Sequence, residues 1–316
     1  MRCSKVATAV TNQASIFVSI ANYRDSETPH TVADLLVQAA FPQRVRVGVL
    51  SQVMPGMDND CLAPDHPQVR QLCVPASASE GVCWARHRVL TELREDECYV
   101  LQVDSHSRFA PGWDQRFVEM LAHCPSLKPV LTCYPSAYVP PRQLGVPLIS
   151  VPKASVFSEQ GVLTFDSSTM AYSSRPSAPI ACAFVGAGCL FARASAFDEV
   201  PYDPLLYFHG EEVTLAARLW THGWDFFAPN DVLMYHDYTH DRGRPKHWDD
   251  HRDWSLLNAR SFSRIRHLLT GEAASDPLAL KDLNKYGLGE ARSLQDYMHL
   301  AGVDFARRLI HPPPLT

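Results

Sequence analysis

The chain has no apolar run long enough to cross a bilayer. Its best stretch, Ala181 to Ala192, is short and interrupted by Gly186 and Gly188. It has no surplus of positive charge: 29 Lys and Arg against 34 Asp and Glu give a formal charge of −5. With no Lys/Arg tract interleaved with aromatics, nucleic acid is not an expected partner. There is no CxxC pair, no HExxH and no repeated spacing among the nine cysteines, which argues against a zinc knuckle, a zincin site or a disulfide framework. Cys83, Cys98, Cys133, Cys182 and Cys189 lie in apolar runs and read as small buried hydrophobes of a reducing compartment. Met1 to Val10 lacks the sustained apolar core of a signal peptide, so the cytoplasm is the expected location.

What is present is an ordinary globular apolar share of 46% over 316 residues, enough for one large α/β core or two smaller ones. Ser15 to Ala21 reads as a first strand, Thr31 to Ala40 as a helix, and Val45 to Leu50 as a second strand, so a right-handed strand-helix-strand unit opens the chain. The turn Tyr23-Arg24-Asp25 then falls at the carboxyl edge of a sheet. There Arg24 can meet a phosphate and Tyr23 can stack on a base, or the turn is simply solvated. A helix opening near Gly81 and running to about Arg94 carries Arg86, either toward a nucleotide phosphate or on a wet face.

Tyr99 to Val103 reads as a buried central strand ending at Asp104, two residues before His106. In open α/β sheets, ligands collect just beyond the carboxyl ends of strands. In extended backbone, Asp104 and His106 point to one side, and a carboxylate oxygen with an imidazole nitrogen suits a first-row divalent cation. The competing reading of the aspartate is a helix cap or turn residue.

From Pro135 to Pro179 the periodicity is lost apart from short apolar pieces around Ile149 and Phe165, and the segment reads as a long functional loop on the acceptor side. Ile180 to Ala192 resumes as strand around Gly186 and Gly188, whose small size lets backbone pass close to a ligand or makes a bulge. Glu211 and Glu212 precede a helix predicted over Val213 to His222, where the dipole favours anions. His236 closes an apolar strand, and His240, His247 and His251 follow it. A helix from about Trp254 to Leu269 precedes a tail without a defined pattern.

Four stretches in this order resemble the cytoplasmic polypeptide N-acetylglucosaminyltransferase family: Ser19 to Asp25, Gly81 to Arg86, Gln102 to Phe109 and Phe208 to Glu212. Its best known members modify a hydroxyproline on an adaptor subunit of a ubiquitin ligase. A more distant likeness, in the Asp-x-His, the Gly-Glu-Glu helix start and the later His, is to the polypeptide N-acetylgalactosaminyltransferases. The resemblance implies a GT-A fold of α/β class with a mostly parallel sheet, a UDP-GlcNAc donor, Mn²⁺ or Mg²⁺, and retention of anomeric configuration. Position by position it implies Asp104, His106 and His236 as metal ligands. Tyr23, Arg24, Asp25, Arg86, Asp104, Gly186 and Gly188 fall on the nucleotide-sugar side, and Glu211 or Glu212 contacts sugar or acceptor. It implies a transferase domain over 1–270, nucleotide-binding to about 134 and acceptor-side over 135–250, with an extension over 271–316. The acceptor, whether protein, glycan or small molecule, stays open. So do a transferase of another UDP-sugar, a catalytically silent binding protein on the same fold, and a zinc hydrolase built on His236, His240, His247 and His251.

Overall fold

The structure is a computed structural model that describes residues 15–239, 243–274 and 276–311, so the expectations for Met1 to Val10 and for His240 lie outside it. An eight-stranded sheet runs through the centre in the order Ile180–Cys182, Asp225–Ala228, Pro129–Thr132, Cys189–Arg193, Tyr99–Asp104, Ile16–Tyr23, Val45–Val53 and Val69–Pro75. The last four strands after Cys189–Arg193 are mutually parallel, whereas Cys189–Arg193 is antiparallel to both its neighbours. Strand alternation decides which face each residue covers. Ile16, Val18 and Ile20 pack with Val32 and Leu35 of the helix Thr28–Gln38 and with Trp113 and Phe117 of the helix Trp113–Ala122. Phe17 and Val100 face the other way, into a core with Leu215 and Leu219 of the helix Glu211–Thr221. The result is a helix-sheet-helix sandwich whose inner parallel strands, buried on both faces, read as near-continuous apolar runs, unlike the half-exposed edge strand Val69–Pro75.

A second, four-stranded sheet decides the position of the site. In it Ser107–Phe109 pairs antiparallel with Met234–His236, which pairs parallel with Ser136–Val139, itself antiparallel to Gln143–Leu144. The register sets His236 directly opposite Ser107, and so against the turn that carries Asp104 and His106.

Several predicted elements shift. The expected loop from Pro135 to Pro179 is largely strand, with Leu148–Phe157 and Leu163–Ala171 forming an antiparallel ribbon. The ribbon is one layer with one face largely exposed, so its inward residues alternate too weakly to show in composition. The single strand predicted over Ile180 to Ala192 is two, Ile180–Cys182 and Cys189–Arg193, which pair with different neighbours. The helix predicted from Gly81 to Arg94 is α-helical only over Val82–Arg88 and widens into a π turn over Val89–Leu93. The helix predicted from Val213 begins two residues earlier, at Glu211. Beyond 270, the helix Leu294–Ala301 buries Tyr297 against Trp220, and Val303 and Phe305 join the same core. Cys83 and Cys189 are buried as expected, but Cys98 is exposed.

Candidate active site

Asp104 ends the central strand, His106 follows in the turn, and His236 ends the strand paired with it. One ligand atom from each of the three lies within 4.8 Å of the others. His236 Nε2 is 3.0 Å from Asp104 Oδ2, and the two imidazole rings meet edge to face at 4.6 Å. One carboxylate oxygen and two imidazole nitrogens form a donor set for a first-row divalent cation. A spacing of 3.0 Å matches neighbouring ligands of an octahedral ion with bonds of about 2.1 Å. Nδ1 of His236 is buried without a partner, which leaves Nε2 as the nitrogen through which this ring interacts.

Neighbouring groups hold Asp104 and His106 in place. Burial pushes the Asp104 carboxyl up, but the His236 hydrogen bond and the Arg86 charge outweigh it and keep it ionised, well below the usual range. Burial lowers the pKa of His236, against the opposing pull of Asp104. His106 Nδ1 lies 2.6 Å from Asp25 Oδ2.

Arg86 is not on a wet face but lines the cavity from a buried position. It is 3% exposed, donates to Asp104 Oδ1 at 2.7 Å and forms an ion pair with Glu211. Tyr202 donates to the same Glu211 oxygen at 2.7 Å, and Gln102 donates to Tyr202 and to the Ala187 carbonyl. Glu211 is thus committed to a buried network. Glu212, one residue on, is the freer carboxylate: it accepts from the Ala187 N–H and the Tyr134 hydroxyl, each at 2.7 Å. Burial raises its pKa to about 7 against those two hydrogen bonds, with the Glu211 charge adding to the rise.

Asp104, His106, His236, Arg86, Glu211 and Glu212 line one cavity of 570 Å³, within the range of ligand sites. Tyr23 and Asp25 line it as well, but Arg24 does not. Arg24 is bound to Asp58 at 2.7 Å and to Asp250 at 2.9 Å, so its predicted phosphate contact gives way to a tie between two loops. The Tyr23 hydroxyl donates to Asp250 at 2.7 Å while its ring edge remains at the cavity wall. Gly188 lines the cavity beside Asp104, whereas Gly186 packs on the sheet: a methyl group there would sit 2.7 Å from the Cys133 carbonyl.

The histidine-rich stretch does not assemble. His247 donates to the Ser79 carbonyl at 3.0 Å and accepts from Tyr207 at 2.8 Å, and its stacked neighbour His251 donates to the Ala76 carbonyl. Their ring nitrogens bind protein, and burial lowers the pKa of His247 to about 4. Among the described residues, only Asp104, His106 and His236 group as ligands. The alternative of a zinc site on His236, His240, His247 and His251 thus finds no support among the described residues, outside which His240 lies. Sequence reasoning missed Arg244, Tyr134, Tyr202 and Tyr238. Only Tyr134, which closes the apolar run Pro129 to Tyr134, carried a positional signal.

A sequence profile of the family described as Glycosyltransferase (GlcNAc) matches residues 15–68 and 65–307, nearly all of the described chain. The chain belongs to this glycosyltransferase family. No curated protein sequence matches it significantly. Among solved structures, it is similar to GalNAc-T7, crystallised with UDP, GalNAc and Mn²⁺, with a TM-score of 0.65 and 12% identity over 91% of this chain and 56% of that one. It therefore spans just over half the length of GalNAc-T7. S. aureus TarS 1-349 gives a TM-score of 0.49 and 12% identity over 91% of this chain and 69% of that one. The fold of this glycosyltransferase is GT-A. No helix among its described residues is long and apolar enough to cross a membrane.

Proposed function

We propose that the chain is a divalent-metal-dependent transferase that moves N-acetylglucosamine from UDP-GlcNAc to a hydroxyl acceptor with retention of configuration. The observation that carries this reading is the convergence of Asp104, His106 and His236 beside a cavity large enough for a nucleotide sugar. The family description supports the sugar, and a fold shared with a protein crystallised with UDP and Mn²⁺ supports the nucleotide and the ion. With two imidazoles in the donor set, Mn²⁺ is the proposed ion ahead of Mg²⁺. When bound, it offsets the negative charge that develops on the departing diphosphate.

The chain's own residues do the rest. Arg86 fixes the Asp104 carboxylate and keeps it ionised. Glu212 faces the cavity with a pKa near neutrality and orients a hydroxyl of the sugar or acceptor. A dedicated base is not required, because in a retaining transfer the departing phosphate can take the acceptor's proton. Arg244 and Lys246, both on the cavity wall, are the cations we assign to the diphosphate side in place of Arg24.

We place the acceptor on the side of the Leu148–Phe157 and Leu163–Ala171 ribbon. A trough of 300 Å³ there shares Tyr134, Pro135, Phe165 and Tyr238 with the main cavity, and Ser150, Ser167 and Thr169 line its far part. A protein acceptor of hydroxyproline type, a glycan and a small molecule all offer the hydroxyl this needs. The cytoplasmic location belongs to the same proposal, on the odd, unpatterned set of nine cysteines.

The test is a donor screen with UDP- and GDP-sugars, read as released nucleotide with and without Mn²⁺. The proposal expects slow, Mn²⁺-dependent release of UDP from UDP-GlcNAc in the absence of acceptor. UDP-GlcNAc left intact and unbound at saturating Mn²⁺ contradicts it.

A further inference from the structure

Asp25 lies at the cavity wall, at 3% exposure. Its Oδ2 lies 2.6 Å from His106 Nδ1, accepts from the Ser105 hydroxyl at 2.7 Å and lies 3.5 Å from Arg244 Nη1. Its Oδ1 accepts the Glu27 N–H at 3.0 Å, and its own N–H donates to Asn22 Oδ1 at 3.1 Å. Both oxygens and the backbone are therefore fixed, and the carboxylate cannot turn toward a ligand without breaking these bonds. An ionised carboxylate only accepts hydrogen bonds, so the nitrogen facing it at 2.6 Å carries the proton. In a neutral imidazole this leaves Nε2 unprotonated and able to ligate.

We propose that Asp25 is a positioning residue, which holds His106 in the Nδ1–H tautomer with Nε2 presented to the cation and thereby sets metal affinity, rather than a contact to the nucleotide. The proposal rests on the metal reading of the preceding section. It assigns the first strand's turn to the ion and not to the base. The chemistry is general: a carboxylate behind a ligating imidazole fixes its ring and tautomer and raises its basicity, and loss of such a partner costs about 10- to 100-fold in metal affinity. Asparagine at this position keeps the shape but can donate its amide to Nδ1 and stabilise the wrong tautomer.

The experiment is a Mn²⁺ titration of the full chain without nucleotide, followed by the disappearance of the free-ion paramagnetic signal, on wild type, D25N, H106A and the D25N/H106A pair. The expected result is a roughly 10- to 100-fold weaker Mn²⁺ affinity in D25N and no further loss from D25N once His106 is gone. Mn²⁺ affinity in D25N within about twofold of wild type, or a D25N loss that persists in the H106A background, overturns the assignment. If wild type binds no Mn²⁺, the metal reading itself fails and this inference with it. Wild type binding normally while D25N does too sinks only the role of Asp25. Should D25N not fold, the tautomer of His106 in metal-free wild type, read from long-range proton-nitrogen couplings, decides: Nδ1–H supports the proposal and Nε2–H overturns it.

Discussion

His236 Nε2 lies 3.0 Å from Asp104 Oδ2, although the two residues end strands of different sheets. The antiparallel register of Met234–His236 on Ser107–Phe109 brings them together, so the ligand geometry is a property of sheet pairing and not of a flexible loop. A cation that binds only the folded chain stabilises it by about 2.7 kcal/mol at a hundred times its dissociation constant. Mn²⁺ is therefore expected to raise the melting temperature of wild type, and Asp104→Ala to abolish that rise. Thermal unfolding with and without Mn²⁺ checks both, and an equal rise in the variant counts against the site.

The buried pair of Arg86 and Glu211 makes a prediction about stability. Removing one member of a buried, hydrogen-bonded ion pair leaves the other charge uncompensated, at a cost of about 3–5 kcal/mol. Glu211→Ala is expected to lower unfolding free energy by up to this order in a urea titration, because it removes one of the two carboxylates that Arg86 pairs with, Asp104 being the other, and leaves Tyr202 without its acceptor. A loss below about 1 kcal/mol, the range of an exposed pair, contradicts the buried network.

Glu212 titrates at about 7 in the folded chain against an ordinary value of 4.5, because burial disfavours its charge. Its folded pKa is raised, so the folded state holds the proton more tightly than the unfolded state does. Stability is then lost as pH rises from about 4.5 to about 7. Glu212→Gln removes this dependence. Relative to wild type, it is expected to gain on the order of 3 kcal/mol between pH 4.5 and pH 8 in the metal-free chain. Parallel urea titrations at the two pH values measure it, and a constant difference between the two chains refutes it.

Gly186 and Gly188 separate structure from function. A methyl group on Gly188 comes within 3.0 Å of Asp104 Oδ2, the oxygen that faces His236, whereas on Gly186 it meets the fixed Cys133 carbonyl at 2.7 Å. Gly188→Ala is expected to weaken Mn²⁺ binding several-fold with little change in stability. Gly186→Ala is expected to destabilise the fold by about 1–3 kcal/mol. Denaturation and Mn²⁺ titration of both variants test the division, and a reversed pattern rejects it.

The parts of this molecule legible in the sequence are those whose signal is local. Tyr99 to Val103 announces a buried strand because parallel strands are apolar on both faces, and the strand's end places Asp104 and His106 at the sheet's edge. His236 stood out because it closes an apolar run. The partners were not legible: Arg86 and Glu211 are 125 positions apart, and nothing local tells a buried arginine on a short helix from an exposed one. Arg24 reads as a phosphate ligand until Asp58 and Asp250 are seen to hold it, and His247 as a metal ligand until Ser79 and Tyr207 take its nitrogens. The ribbon over 148–171 was missed for another reason. Ser167, Thr169 and Ser150 share its trough side with Phe165 and Leu148, so polarity and strand face are decoupled there.

The central claim is that Asp104, His106 and His236 hold one ion together. Pulsed paramagnetic resonance of Mn²⁺ bound to the full chain tests it most directly, because it counts the imidazole nitrogens coupled to the metal. We expect one tightly bound ion with two such nitrogens in wild type, and one nitrogen, with weaker binding, in either H106A or H236A. A bound ion without imidazole coupling, or with the same two nitrogens in both variants, would place the metal elsewhere.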